Sequence, residues 1–314
     1  MNRVLLLGVP RSGTTWVGEA LGRSRGAVYV HEPDGVTEPF AFRAQWLDGL
    51  THYPVLRAED RAVELSRLWD GAFAGGRRAG NLRDKIARRA YRRVRDVDKV
   101  RARSAGRLTL DMRVAEMSAV PRVPDAGAQA VVVKSVNSAF CAEWLYERWH
   151  PRVVVIQRDF RNVMASWFAL GFGGTIPSVY ATARREAERR WAIQLPEFDD
   201  PVVRSIAFCA VMTLALNDDL CRHSEWIGIE HEALCIDSAT RLAEIAARLG
   251  LEWTELANDY VRVSDRPGEG YATARLASDL PDQWKRRLNR EQQDAIAAVV
   301  ARFPPELWPT DLHS

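Results

Sequence analysis

Gly8 and Gly13 bracket a run, Gly8-Val9-Pro10-Arg11-Ser12-Gly13-Thr14-Thr15-Trp16, whose residue types suit the grip of an anion. Val4–Leu7 before it reads as a buried strand, and a helical pattern starts at Trp16. A strand that turns through glycines and hydroxyls into a helix start aims several backbone N–H groups at one point, which suits a phosphate. The spacing nearly matches G-x-x-x-x-G-K-[ST], with both glycines in register. Thr14, however, stands where that pattern has lysine, and Arg11 supplies the positive charge from inside the loop. Such a loop keeps the phosphate cradle and is poorly equipped for nucleoside triphosphate hydrolysis.

Three further groups end apolar strands. Arg158-Asp159-Phe160-Arg161-Asn162 follows the run Arg152–Gln157, with Ser166 about two turns into the next helix. Lys134 closes Ala130–Val133, and His31-Glu32-Pro33 follows Ala27–Val30. A carboxylate and an imidazole one βαβ step after a phosphate loop lie at the rim where open α/β sheets bind ligands. Strand alternation predicts that only one of His31 and Glu32 faces the site. His-rich, C-x-x-C and H-E-x-x-H metal patterns are absent from the sequence. The four cysteines, Cys141, Cys209, Cys221 and Cys235, read as buried thiols of a reducing cytoplasm.

The elements that must hold these groups alternate strand and helix, which predicts an α/β fold around a mainly parallel, doubly wound sheet. Helices are expected over Thr15–Arg23, Glu59–Phe73, Ser138–Trp149, Pro201–Arg222, Ser238–Leu249 and Gln283–Phe303. Residues 36–128 read as a helical insertion or cap within a single 1–314 domain, and Gly171-Phe172-Gly173-Gly174 as a hinge. Aromatics at Phe40, Phe42, Trp46, Tyr53, Trp167 and Phe172 are divided between acceptor lining and core. Arg77–Arg107 holds 13 basic and 3 acidic residues, leaving 31 basic and 38 acidic elsewhere. That stretch carries Leu82, Ile86, Ala90, Val94 and Val97 at helical spacing. An arginine-coated amphipathic helix is expected there, either solvated or drawn to an anionic surface. No nucleic-acid motif accompanies it. The short N-terminal apolar runs predict neither a signal peptide nor a membrane span, hence a soluble cytoplasmic chain.

Pro10–Trp16 together with Arg158–Val163 and Ser166 resembles the two nucleotide motifs of sulfotransferases that use 3′-phosphoadenosine 5′-phosphosulfate (PAPS). Glu230-His231-Glu232-Ala233-Leu234 and Trp284-Lys285 with Leu288 are weaker matches to later family patterns. The resemblance implies a three-layer, P-loop NTPase-like α/β sandwich with a helical insertion. It implies PAPS as donor, the bisphosphate PAP as product, no metal, and a hydroxyl acceptor such as a carbohydrate, glycolipid, or small alcohol or phenol. In that reading Pro10, Arg11, Ser12, Gly13, Thr14, Thr15 and Trp16 hold the 5′ end, Arg158 and Ser166 grip the 3′-phosphate, and Lys134 contacts the sulfuryl group. Val136 replaces the histidine base of the cytosolic branch, so the chain looks closer to the carbohydrate and protein-tyrosine branches. Glu32 is then the candidate base and His31 its neighbouring competitor. Arg275, with the Arg266–Gly270 loop, is expected to close over the nucleotide. The competing readings are a P-loop kinase-like ATP enzyme and a non-catalytic nucleotide-binding protein.

Overall fold

The computed structural model describes residues 1–35, 37–95, 98, 99, 102, 107–172, 175, 177–266 and 282–308. Five strands, β1 (Asn2–Leu7), β2 (Ala27–His31), β3 (Ala130–Ser135), β4 (Arg152–Gln157) and β5 (Ile227–Glu230), form one sheet in the order β2-β3-β1-β4-β5. Every neighbouring pair is parallel. The chain leaves β1 toward β2 on one side and β4 toward β5 on the other. The crevice beyond the ends of β1 and β4 is therefore the switch point of the sheet.

The central strands are continuous apolar runs because both of their faces are covered. Leu5, Leu7, Val131, Val133, Val153 and Val155 point into one core, and Val4, Leu6, Val132, Val154 and Ile156 into the other. Helices α1 (Thr14–Leu21), α11 (Ser238–Arg248) and α12 (Glu255–Ser264) supply the second core through Val17, Leu21, Leu242 and Val261. The first core is larger. It receives α6 (Ala142–Trp149), α7 (Phe160–Ala169), α8 (Pro177–Trp191), α9 (Pro201–Arg222) and α14 (Arg290–Val300). By length and composition α9 could cross a membrane, yet 72% of its apolar window is buried inside the protein. Two short helices, α10 (His231–Ile236) and α13 (Gln283–Arg287), complete the framework. The expected Gln283–Phe303 helix is broken at Leu288, where Asn289 begins a new helix with a capping box to Gln292.

Between β2 and β3 lie α2 (Pro39–Leu47), α3 (Val63–Phe73), α4 (Leu82–Tyr91) and α5 (Leu110–Ser118). The basic helix is shorter and turned differently from the expectation. Asn81 caps it, accepting from Asp84 N–H, while Leu82 and Ile86 are exposed. Its packed side is Ala87, Ala90 and Tyr91, against Phe42, Met112 and Ala115. A buried Asp84–Arg88 pair on that side outweighs the hydrophobic period, because the two charges cap and brace the helix where it meets α2. Val97 and residues 173 and 174 of the expected hinge lie outside the described residues.

Candidate functional site

The turn after β1 is fixed by sterics. A Cβ at Gly8 would sit 2.4 Å from Ser12 Oγ and 3.2 Å from the Ile156 carbonyl, so only glycine lets the loop close against β4. Ser12 N–H donates to Val9 O at 3.1 Å. Arg11 takes φ 76° and Gly13 φ 96°, and the loop runs into α1 with no side-chain cap. The first amides of α1 thus keep their outward hydrogen-bonding capacity. Ser12 and Thr14 are buried, and Ser12 Oγ has no hydrogen-bond partner among the described residues.

The loop and the β4 motif are stitched together. Arg11 Nε donates to Ser166 Oγ at 2.9 Å, Arg158 Nη1 to Arg11 O at 2.8 Å, and Trp167 Nε1 to Pro10 O at 2.8 Å. Asp159 caps α7, accepting from Arg161 and Asn162 N–H, which holds Arg158 at the strand end. Ser166 therefore meets Arg11 rather than Arg158, so the two expected grips form one linked cluster. Arg158 is only 8% exposed and its Nε has no hydrogen-bond partner among the described residues. Burial pushes its pKa down, and Glu232 draws it back up from 3.9 Å.

On the neighbouring strands Lys134, next to last in β3, sets its ammonium against Glu32 Oε1. Glu32 N–H donates to Lys134 O at 2.9 Å, while Glu32 itself takes φ 37°. That left-handed turn ends strand alternation, so Glu32 does not simply face away from His31. Instead His31 Nε2 lies 3.9 Å from Glu32 Oε1, and Nδ1 shares a 2.9 Å hydrogen bond with Tyr29 Oη. Burial and then the Lys134 charge lower the His31 pKa. Asp34 braces the turn. Its buried Oδ2 accepts from Ser135 Oγ and Ser138 Oγ, both at 2.7 Å, which fastens the stretch after β2 to the stretch after β3. Burial pushes the Asp34 pKa up.

Three residues near this cluster were not singled out as site residues from the sequence: Asp34, His231 and Glu232. A Cβ on Gly13 would lie 2.3 Å from His231 Cδ2, so the imidazole packs directly beneath the loop. His231 is buried, and burial followed by the Arg158 charge puts its pKa well below the ordinary value. Glu232 Oε1 accepts from Asp159 N–H at 3.2 Å and from Asn162 Nδ2 at 3.4 Å. The signal was the acid–imidazole–acid run at the end of β5. The chain also returns to the site near its C-terminus: Trp284 N–H donates to Asn162 Oδ1 at 3.1 Å, and Arg161 stacks 4.3 Å over the Trp284 ring. Arg275 lies outside the described residues.

Other expectations sort by burial. Phe42 and Trp167 are core, and Tyr53 packs on Phe208 with ring centroids 4.7 Å apart. Cys141, Cys209 and Cys235 are buried free thiols, but Cys221 is exposed, correcting the reading of all four as buried. Its position near the solvent end of α9 accounts for this, since that last turn carries Arg222 and leaves the core.

Comparison with curated proteins finds no match. Among solved structures, the chain is similar to the sulfotransferase domain from the Synechococcus PCC 7002 olefin synthase, at 14% identity and a TM-score of 0.44. That alignment covers 96% of each chain. A family model described as the sulfotransferase family matches residues 3–255, which span the loop, Lys134, the β4 motif and Glu232. The chain belongs to the sulfotransferase family.

Proposed function

We propose that the chain moves a sulfuryl group from PAPS to a hydroxyl acceptor on a P-loop NTPase-like framework, with Glu32 as general base. The observation that carries this reading is the linked cluster of Arg11, Arg158 and Ser166 at the switch point, one strand away from the Lys134–Glu32 pair. The residues fit a nucleotide with phosphates at both ends. Among the described residues Ser12 Oγ and Arg158 Nε are buried polar atoms without partners, and the start of α1 lacks a side-chain cap. Buried groups of this kind are costly unless a ligand completes them.

Bound there, PAPS supplies an activated sulfuryl group. The loop amides from Gly13 to Trp16 and the Arg11 guanidinium hold the 5′ end. Arg158, braced by Glu232, holds the 3′-phosphate, and Ser166 keeps Arg11 in register with it. Lys134 places a positive charge where negative charge develops at the reacting group. Glu32, fixed by Lys134 and by the Asp34 brace, accepts the proton of the acceptor hydroxyl. His31 is tied to Tyr29 and stands as the second candidate for that role.

Calorimetry with PAP, ADP and ATP tests the nucleotide assignment. PAP binds at least tenfold tighter than ADP, and Arg158→Ala removes most of that difference. Equal binding of PAP and ADP, or Mg²⁺-dependent turnover of ATP, refutes the reading. Transfer of radiolabelled sulfate to a panel of glycans, phenols and lipid alcohols then identifies the acceptor.

A further inference from the structure

The stretch that leaves β2 does more than present Glu32. Pro33, the next residue, forms part of the wall of an open cleft built also by Glu38 and Pro39 at the start of α2, by α4, and by residues 119–122. The cleft is small, about 20 Å³, and opens to solvent at its mouth. Three guanidinium groups line it, from Arg78, Arg88 and Arg122, against two carboxylates, from Glu38 and Asp84. Arg78 and Arg88 are committed. Their Nη2 atoms donate to the two oxygens of Glu38 at 2.8 and 3.0 Å, and Arg88 Nε donates to Asp84 Oδ1 at 3.0 Å.

Arg122 is the least closely paired of the three, sharing at long range a carboxylate already bonded to the other two. Its Nη1 donates to the Gly76 carbonyl at 3.1 Å, and its Nη2 stays 4.0 Å from Glu38 Oε1, beyond hydrogen-bond range. Among the described residues the lining of the cleft therefore carries one excess positive charge. Only 18% of the Arg122 side chain is exposed, so water screens that charge weakly. Burial pushes the Arg122 pKa down and the Glu38 charge opposes this, while Arg78 and Arg88 push it further down. Behind the wall, Arg43 Nη1 donates to the Ala119 carbonyl at 3.2 Å and adds a further positive charge. Among the described residues the knot holds one guanidinium more than it has carboxylates, and Pro33 in the same wall directly follows Glu32.

We propose that this cleft binds an anionic group of the acceptor, a carboxylate or a sulfate or phosphate ester, while the acceptor hydroxyl meets Glu32. The inference rests on the reading of Glu32 as the base. Arg11 and Arg158 already serve the nucleotide, so the cleft adds a separate positive centre on the acceptor side.

Two probes sharing one ring and one hydroxymethyl group test it: 4-(hydroxymethyl)benzoate and the neutral 1,4-benzenedimethanol. Their affinities are measured by NMR titration, with and without PAP, on the wild-type chain and on Arg122→Gln, Arg78→Gln and Arg262→Gln. Arg78 is 58% exposed, so its variant keeps the fold should Arg122→Gln lose it. Arg262 is an exposed control paired with Asp259. The charged probe binds the wild type at least tenfold tighter than the neutral one. That ratio falls to within about twofold in the Arg122 and Arg78 variants and is unchanged in Arg262→Gln. Equal affinities in the wild type, or a ratio that survives both cleft variants, overturn the proposal. Inorganic sulfate is the third probe: if it binds in an Arg122-dependent way while neither ring probe binds, the cleft takes free anions only and the acceptor role is overturned. Failure of PAP to bind would instead sink the nucleotide reading, while the probe ratio measured without PAP still judges the cleft.

Discussion

Gly13→Ala is the substitution whose consequences the structure defines most sharply. Gly13 has φ 96°, a region in which a side chain costs roughly 1–2 kcal/mol. The new Cβ would also lie 2.3 Å from His231 Cδ2 and 2.7 Å from Nε2, far inside any real contact. The ring has no easy escape. It is buried, with Trp16 edge-on at 6.2 Å and Cys235 Sγ 3.8 Å from Nδ1. Overpacking of this kind costs about 1–3 kcal/mol. The two effects together give roughly 2–5 kcal/mol, or a fall in Tm of about 4–10 °C for a chain of this size. PAP affinity drops as well, because the amides of the loop move with Gly13. The discriminating measurement is a double-mutant cycle with His231→Ala, read by thermal unfolding. Removing the ring leaves the φ cost in place but opens space for the methyl group, so the double variant is more stable than the sum of the single ones by about 1–3 kcal/mol. Additivity within about 0.5 kcal/mol refutes the packing of His231 under the loop.

Glu32→Gln lowers turnover by roughly 10²–10⁴ with PAP affinity nearly unchanged; unaltered turnover rules Glu32 out as the base. Asp34→Ala leaves the Ser135 and Ser138 hydroxyls without their carboxylate, at about 1–3 kcal/mol, and lowers kcat more than PAP affinity. Asp34→Asn keeps an accepting oxygen and restores most of both, so equal damage from Ala and Asn shows the brace to be irrelevant to Glu32. The pH dependence of stability follows from His231, whose pKa in the folded protein is below its unfolded value. Below about pH 6.5 the unfolded chain binds the extra proton, so its contribution is complete above that pH and is lost as the pH falls. Urea unfolding of the wild type and His231→Gln between pH 7.5 and 5.5 isolates this contribution, since His31 adds a change of the same sign to both proteins. Parallel curves for the two would show that His231 titrates normally.

The parts of the fold legible in the sequence are those where one local rule dominates. Val131–Val133 and Val153–Ile156 read as central strands because burial on both faces leaves no polar alternation to confuse them. Pro201–Arg222 read correctly because Asp200 caps it, Pro201 opens it, and its apolar length is spent on the core. The helices between β2 and β3 were harder. In α4 Ala87, Ala90, Tyr91 and a paired aspartate face inward and Val94 packs beyond its end, while Leu82 and Ile86 face solvent, so hydrophobic spacing finds Ala90 and Val94 but misplaces its first two positions. Pro177–Trp191 escaped notice for a related reason: its buried Glu186 pairs with Arg189 and Arg190, and a carboxylate does not read as a core residue. In the candidate site, the residue types were legible but their partners were not. The sequence places Arg158 and Ser166 on one strand–helix unit, which suggests a joint grip. The left-handed backbone of Arg11 sends its guanidinium across 155 positions to Ser166 and turns its carbonyl toward Arg158.

That exchange of partners alters how the two motifs divide their work. If Arg11 and Arg158 acted on opposite ends of the nucleotide independently, each would need its own rigid support. Here each supports the other: Arg158 holds the Arg11 carbonyl, and Ser166 holds the Arg11 guanidinium. Two cations brought this close also raise each other's electrostatic cost, and Arg158 shows it in a pKa lowered first by burial and in part by Arg11. Glu232 offsets some of that cost, but at 3.9 Å it makes no hydrogen bond to Arg158 Nε. Among the described residues Arg158 Nε is thus left without a hydrogen-bond partner, at the switch point where the sheet opens. In the proposed reading a phosphate group completes it, and the cation that positions the nucleotide is relieved by binding it.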